Sequence, residues 1–460
     1  MSPDIAIVVV NWNKKESLVS LLSDLQCVDD PKFDIFVIDN ASTDGSAKAV
    51  CNRFPDITLV ENAVNLGGTG GFNTGIEKVL EADCYRFIWL LDNDAKITKT
   101  TLSELMIVMS SDDRIGMVGS RIVDIEAPEI TVETGAVFRW DIMGTTPLNR
   151  NSKEKEYVNV PVDYVAICSA IVRVDAIRCI GLMDQRLFLF WDDMEWGIRF
   201  KEHGYVVSVA AKSIVYHASF TERNRGATTY WYYGIRNPFL VYSNHTGIFQ
   251  RAYIFYRSLR CHLHAFIFLK LNGQVIEAQF IKKALFDFLQ NKWGKFKSVN
   301  DAFSPPKLIS SSKKLGRLKS ILISGSNINQ PIANKIINVI KKEAPSAKFF
   351  ILIRKDRLAY FEGYSTIILD NLKSASILYM LSRFIIVKRK RFDAMASCTP
   401  SLFQYATPLS MIFDDNGDLI RTYRNDFLSF IRFIIGMILG ELFALGLLPH
   451  FLFKSNGYRN

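Results

Sequence analysis

The order of its apolar runs constrains this chain most. In the first half, Ile5–Val10, Phe33–Ile38, Ile57–Val60, Phe87–Leu91, Met117–Ser120, Ala166–Val172 and Val206–Val209 read as strands. Lys15–Leu25, Gly45–Arg53, Gly71–Ala82 and Thr101–Met109 read as helices between them. Such alternation specifies an α/β sheet. Polar residues collect after Val10, Ile38 and Leu91, at the strand ends where ligands bind in an open sheet.

At 460 residues the chain exceeds what one hydrophobic core organises, so several domains are expected. Residues 1–230 carry 23 Lys and Arg against 33 Asp and Glu, a net −10, whereas residues 231–460 carry 33 against 13, a net +20. From Tyr230 the pattern changes to long aromatic-rich segments, Thr229–Ser243, Phe249–Lys270 and Gln274–Trp293, with Arg251, Arg257, Arg260, Lys282 and Lys283 beside Phe, Tyr and Ile. These read either as helices on an anionic lipid surface or as a packed subdomain with a basic solvated face. The abundance of Phe, Leu and Ile favours a membrane surface over nucleic acid as the partner of the basic half.

The expected organisation is an α/β domain over 1–230, an amphipathic helical region over 231–303, a polar linker over 304–317, a smaller Rossmann-like domain over 318–425 and an apolar segment over 426–460. The smaller domain rests on the strand-like Leu318–Gly325, Phe349–Ile353, Ser365–Leu369 and Phe384–Val387 and on the helix Asn329–Lys342; it holds no GxGxxG. In Phe433–Phe453 the only formal charge is Glu441, and Pro449 and His450 interrupt the run. Its length permits a span, the central Glu and the Pro suit an interfacial or re-entrant helix equally, and membrane attachment is expected, with a buried helical hairpin as the alternative. The seven cysteines form no CxxC pair and are expected as reduced core residues. Met1–Asp4 leads straight into Ile5–Val10 without a signal-peptide pattern. The first half is therefore expected on the cytoplasmic side of the cell membrane.

The chemistry concentrates in a few clusters. Asp92-Asn93-Asp94 directly follows an apolar strand, where residues two apart point the same way and two carboxylates can converge on one hard cation. A divalent ion there would bridge a nucleotide diphosphate; taken alone, the triplet also arises as a loop or helix cap. Asn11 and Asn13 follow the first strand and Asp39 the second, and their amides and carboxylate suit a pyrimidine base and ribose, while Ser42 and Asp44 also read as caps of the next helix. Asn65 opens a run with Gly67, Gly68, Gly70 and Gly71 leading into a helix. That run suits close approach to a phosphate or donor sugar, or is simply a turn. In the cluster Phe188 to Arg199, aromatics precede Asp192 and Asp193 at a helix start. A carboxylate there would take a proton from an acceptor hydroxyl, or would stabilise the helix terminus. His217, after Lys212–Tyr216, is a lone histidine that would complete a carboxylate and imidazole site for Mn2+ or Mg2+ with Asp94.

Read in order, VVVNWN, VIDNASTDGS, NLGGTGGFN, WLLDNDA, FLFWDDMEWGIR and VYHA resemble the inverting family-2 glycosyltransferases of GT-A fold over about residues 5 to 240. Within that family the chain is similar to bacterial galactofuranosyl- and rhamnosyltransferases. The resemblance implies metal and diphosphate ligands in Asp92, Asp94 and His217, a catalytic base in Asp193, a nucleotide pocket lined by Asn11, Asp39 and Asn65, and an acceptor side at Trp191 and Asp192. It also implies a UDP- or dTDP-sugar donor and a glycan or lipid-linked acceptor. Asn93 stands where relatives often carry Asp or Pro, and Tyr232-Tyr233-Gly234-Ile235-Arg236-Asn237 resembles a block of the rhamnosyltransferase-like members, so the two branches are not separated. A sugar-1-phosphate nucleotidyltransferase would use a similar sheet, but its Gly-, Arg- and Lys-containing loop is replaced by Asn11-Trp12-Asn13. A non-catalytic scaffold of a polysaccharide assembly complex is the other alternative.

Overall fold

The computed structural model describes residues 4–28, 31–141, 143–150, 152–154, 157–217, 228–271, 275–296, 318–324, 330–354, 364–369, 388, 390–397, 407, 409–413, 419–424 and 438–449. The chain divides into two units, one of Met1–Leu259, Phe280–Lys297 and Leu447–Asn460, the other of Arg260–Gln279 and Ser298–Gly446.

In the first unit β1 (Ile5–Asn11), β2 (Phe33–Asp39), β3 (Thr58–Glu61) and β4 (Phe87–Asp92) alternate with α1 (Lys15–Leu25), α2 (Ser46–Arg53) and α3 (Gly67–Ala82). Next come β5 (Lys96–Ile97), α4 (Thr101–Met109), β6 (Ile115–Asp124), and the short strands β7 (Thr131–Glu133), β8 (Ala136–Arg139), β9 (Gly144–Pro147) and β10 (Pro161–Val162). The series continues with β11 (Ser169–Arg173), α5 (Val174–Ile180), α6 (Asp192–Glu202), β12 (Val206–His217) and the helix α7 (Thr228–His245). The main sheet runs β10-β12-β6-β11-β4-β1-β2-β3, with β5 on β12 and β7 on β6. Strands β1 to β4 pair in parallel, and β11 is antiparallel to both β4 and β6.

Continuous apolar runs make central strands because both faces are covered. In β1, Ile5, Ile7 and Val9 pack into one core with Leu18, Leu22 and Leu102, while Ala6 and Val8 face another with Phe72, Ile76 and Ile177. Helix α3 starts at Gly67, four residues before the apolar pattern suggests. The glycines let it approach the sheet closely: a Cβ on Gly71 would lie 2.5 Å from Val10, and one on Gly75 2.3 Å from Val8.

Helix α7 buries Tyr232, Tyr233, Arg236, Asn237, Phe239 and Tyr242. Its large residues ring the axis rather than forming one stripe, so this helix packs inside the protein and does not lie on lipid. The next helices, α8 (Ile248–Leu271) and α9 (Val275–Leu289), leave Phe249, Tyr253 and Phe286 exposed. The expectation that the cysteines are core residues fails. Among the described residues only Cys168 is buried; Cys27, Cys51, Cys84, Cys179 and Cys261 are exposed. They sit on outer helix faces or just past helix ends, where a small thiol is tolerated without burial.

The second unit holds β13 (Ser320–Ser324), α10 (Gln330–Glu343), β14 (Lys348–Arg354), β15 (Thr366–Leu369), β16 (Ala394–Ser397), β17 (Leu409–Phe413) and β18 (Leu419–Arg424). Its sheet order is β15-β14-β13-β16-β17-β18, parallel except for β18, which is the order of doubly wound nucleotide folds. The expected strand Phe384–Val387 and linker 304–317 lie outside the described residues. Of the apolar stretch Phe433–Phe453, residues 438–449 are described and helical. No helix among the described residues is long and apolar enough to cross a membrane.

Candidate active site

The parallel strands bring their polar ends to one edge. Val10 pairs with Asp92 and Asn11 with Asp39 across neighbouring strands, so residues 82 and 28 apart in sequence meet without any long side chain. Asn11 is fully buried: its amide nitrogen donates to Asp39 Oδ1 at 3.0 Å and Ser42 Oγ at 3.1 Å, and its oxygen accepts from Asn93 Nδ2 at 2.7 Å. Asp39 is buried too, its second oxygen accepting the Ser42 N–H at 2.8 Å. Both residues were expected as direct contacts to a nucleotide. They form the floor of the edge and hydrogen-bond to one another, and Asn93 ties the acidic triplet to β1. Asn13, exposed and with φ of 51°, accepts the Thr43 N–H at 2.7 Å. Asp44 accepts from the backbone of Lys15 and Ser46, which together with the Ser46 hydroxyl outweigh burial and lower its pKa; its role is the capping one.

His217 arrives from the other side of the sheet. Strand β12 runs parallel to β6, but its register shifts between Ala210 and Ile214. After that shift Val215 and Tyr216 pair antiparallel with Ile97 and Lys96 of β5, the short strand just past the acidic triplet. The imidazole Nε2 thereby lies 3.3 Å from Asp92 Oδ2 and 3.4 Å from Asp94 Oδ1. One ligand atom from each of Asp92, Asp94 and His217 falls within 4.8 Å of the others, the only such group of three found among the described residues. Two carboxylate oxygens and one imidazole nitrogen at this spacing fit Mn2+ or Mg2+. Lys14 Nζ stands 4.0 Å from Asp94 Oδ2, a cation at the rim beside the triplet.

The glycine run lies at the start of α3. Asn65 Oδ1 accepts the Gly67 N–H at 2.8 Å, and Asn40 Nδ2 donates to the Gly67 carbonyl at 2.8 Å. Gly67 has φ of 77°, and a Cβ there would sit 2.1 Å from the Phe188 carbonyl oxygen. Gly70 is buried, where a Cβ would meet Leu66 at 2.6 Å. Packing alone therefore demands glycine at Gly67, Gly70 and Gly71, while Gly68 is partly exposed and less crowded, with Leu189 at 3.6 Å.

Asp192 and Asp193 open α6, whose N-terminal flank is Trp191. Asp192 was expected to face the acceptor, but it is turned inward and accepts the Thr69 hydroxyl at 2.7 Å. Asp193 is partly exposed. Desolvation pushes its carboxyl well above the usual range, and the negative charges of Asp192, Glu133 and Asp92 add to the effect. Glu133, on β7, is itself raised to about 7 by burial; no sequence pattern singles it out. Trp191 packs edge-on to Tyr242 with ring centroids 6.0 Å apart. Further along α6, Glu195 pairs with Arg199 at 2.9 Å, and His245 of α7 reaches Glu202 at 2.9 Å and Glu195 at 3.3 Å, which anchors the helix that presents Asp193.

The sheet edge thus gathers a cluster of two carboxylates and one imidazole near the start of α6, where Asp193 stands. Residues 6–181 match the family model for Glycosyl transferase family 2, so this stretch carries a domain of that family. The chain is similar to Galactofuranosyltransferase GlfT2 of Mycobacterium tuberculosis, 21% identical over 214 residues that make up 43% of this chain and 33% of that protein. It is similar to Galactofuranosyltransferase GlfT1 of Mycolicibacterium smegmatis, 24% identical over 42% of this chain and 63% of that one. It also matches the N-acetylglucosaminyl-diphospho-decaprenol L-rhamnosyltransferase of Mycobacterium tuberculosis, 23% identical over 47% of this chain and 77% of that enzyme. The matched region thus spans between one third and two thirds of the two galactofuranosyltransferases.

Proposed function

We propose that this protein transfers a sugar, galactofuranose or rhamnose, from a UDP- or dTDP-sugar to a hydroxyl of a glycan or lipid-linked acceptor, with metal dependence and with inversion. The observation that carries this reading is the meeting of Asp92, Asp94 and His217 around one ion-sized space, with Asp193 close enough for Asp92 to add to its pKa shift. A divalent cation, when bound, offsets the charge that grows on the departing diphosphate. Asp193 takes the proton from the acceptor hydroxyl, that oxygen attacks the anomeric carbon, and the nucleoside diphosphate leaves from the opposite face. Trp191 lines the acceptor side, and Asn13 and Lys14 lie where the donor enters. The activities of the similar galactofuranosyl- and rhamnosyltransferases support the two sugar classes.

The test is a panel of UDP- and dTDP-sugars, UDP-galactofuranose and dTDP-rhamnose first, measured for binding and turnover with Mn2+ or Mg2+. Metal-dependent turnover of one of these is expected; a folded protein that turns over none of them would instead support a non-catalytic scaffold.

The same reading includes attachment to the cytoplasmic face of an anionic membrane. In 438–449, Ile438, Leu439, Leu442, Phe443 and Leu445 are exposed along helical residues, and residues 231–460 carry a net +20; apolar burial plus attraction to anionic lipid supports surface binding. Co-sedimentation with vesicles containing phosphatidylglycerol is expected and should weaken in Leu442→Glu/Phe443→Glu; equal binding by that variant would remove this helix from the attachment.

A further inference from the structure

The loop that delivers the two aspartates is strained. Phe188, Phe190 and Trp191 have φ values of 65°, 64° and 72°, three left-handed non-glycine residues within four positions, immediately before α6. Each is uncommon for a bulky side chain and persists only where the surroundings over-determine it. What surrounds this loop is a buried pair from the middle of α7.

Asn237 Nδ2 lies 2.9 Å from the Leu187 carbonyl, 2.9 Å from that of Leu189 and 2.8 Å from that of Phe190. Its Oδ1 accepts from Arg236 Nε at 3.0 Å and Nη2 at 2.9 Å. A guanidinium only donates, so the amide orientation is settled from both ends. Arg236 Nη2 also reaches the Arg186 and Leu187 carbonyls at 3.2 and 3.3 Å, and its Nη1 reaches the Gly294 carbonyl at 3.0 Å. Both side chains are fully buried. On the opposite side Thr69 N donates to the Phe188 carbonyl at 3.3 Å, and the Phe188 ring stacks on Tyr233 with centroids 5.5 Å apart.

We propose that Asn237, held by Arg236, is the positioning residue that keeps the turns of Phe188–Trp191 in place, and so sets where Asp193 stands relative to the acceptor. This rests on the reading of Asp193 as the base. Asn237 stands on α7, outside the Asp92, Asp94 and His217 cluster; the two N–H groups of its amide are shared among three backbone carbonyls of this loop. An isosteric carboxylate would turn those contacts into oxygen–oxygen repulsions while leaving Arg236 a partner.

The test compares Asn237→Asp, Asp193→Asn and the double variant on whichever of UDP-galactofuranose or dTDP-rhamnose the protein turns over, with UDP binding in Mn2+ measured alongside. Asn237→Asp is expected to lower kcat about tenfold or more with UDP affinity within about twofold, and to add less than about twofold in the Asp193→Asn background, since residues acting as one unit are not additive. Near-native kcat in folded Asn237→Asp, or full additivity with Asp193→Asn, would overturn the positioning role. A parallel loss of UDP affinity would do the same. Near-native turnover in Asp193→Asn would instead strike the base assignment itself, whatever Asn237→Asp does. Should Asn237→Asp fail to fold, Asn237→Ser, which keeps one donor toward the carbonyls, is read by the same measurements.

Discussion

Asp193→Asn is expected to lower turnover by about 10² to 10⁴, the range attributed to general-base catalysis, while the variant still binds donor with metal. The amide keeps the size of the side chain and its place at the head of α6, and removes only the capacity to hold a proton. The pH dependence should follow from the raised pKa. Burial, then the charges of Asp192, Glu133 and Asp92, favour the protonated form of Asp193, and a base works only when deprotonated. The acid limb of kcat/KM should therefore rise with pH through a value above the ordinary carboxylate range, and should vanish in Asp193→Asn. Glu133→Gln removes one neighbouring charge and should move that limb toward lower pH. Near-native turnover in Asp193→Asn, or an acid limb that survives it unchanged, would assign the proton to another group.

The parts of this site that were legible in the sequence are those encoded locally. β1 and β4 are unbroken apolar runs that end in polar residues, so both the strands and the positions of Asn11 and Asp92 at their ends follow from composition alone. Asp39 follows by the same logic from β2. The start of α3 was not legible, because a glycine run reads as loop until the approach of Gly71 and Gly75 to β1 is known. Nor were β7 to β10, which are two to four residues long and too short for any periodicity. Local pattern alone does not say which of Asp192 and Asp193 turns inward; Asp192 does, accepting from a hydroxyl 123 residues earlier, on Thr69. Asn237 stands out in sequence only as the end of the block Tyr232–Asn237, and its contacts were not legible there, since they are with carbonyls some fifty positions upstream. Sequence periodicity reports which face of an element is buried. It does not report which polar atom across a tertiary contact will need a partner.

Chelation is expected to abolish transfer, and Mn2+ or Mg2+ to restore it, with a loss on the order of 10² to 10⁴ because a cation at a leaving diphosphate contributes several kcal/mol. The three ligands should not be equivalent. Asp92 and Asp94 supply hard oxygens that suit both ions, whereas the imidazole of His217 adds a nitrogen that Mn2+ accepts more readily than Mg2+. Asp94→Ala should therefore lose activity with either ion. His217→Ala should lose more with Mn2+ than with Mg2+, narrowing the preference between them. His217 also occupies the last residue of β12, where the register shift after Ala210 carries it to the acidic triplet, so the bulge is as much a part of this cluster as its three side chains are. Full activity in EDTA from a protein freed of metal would separate Asp92, Asp94 and His217 from the reaction. An unchanged ratio of Mn2+ to Mg2+ activity in His217→Ala would leave the two carboxylates as ligands and remove the histidine.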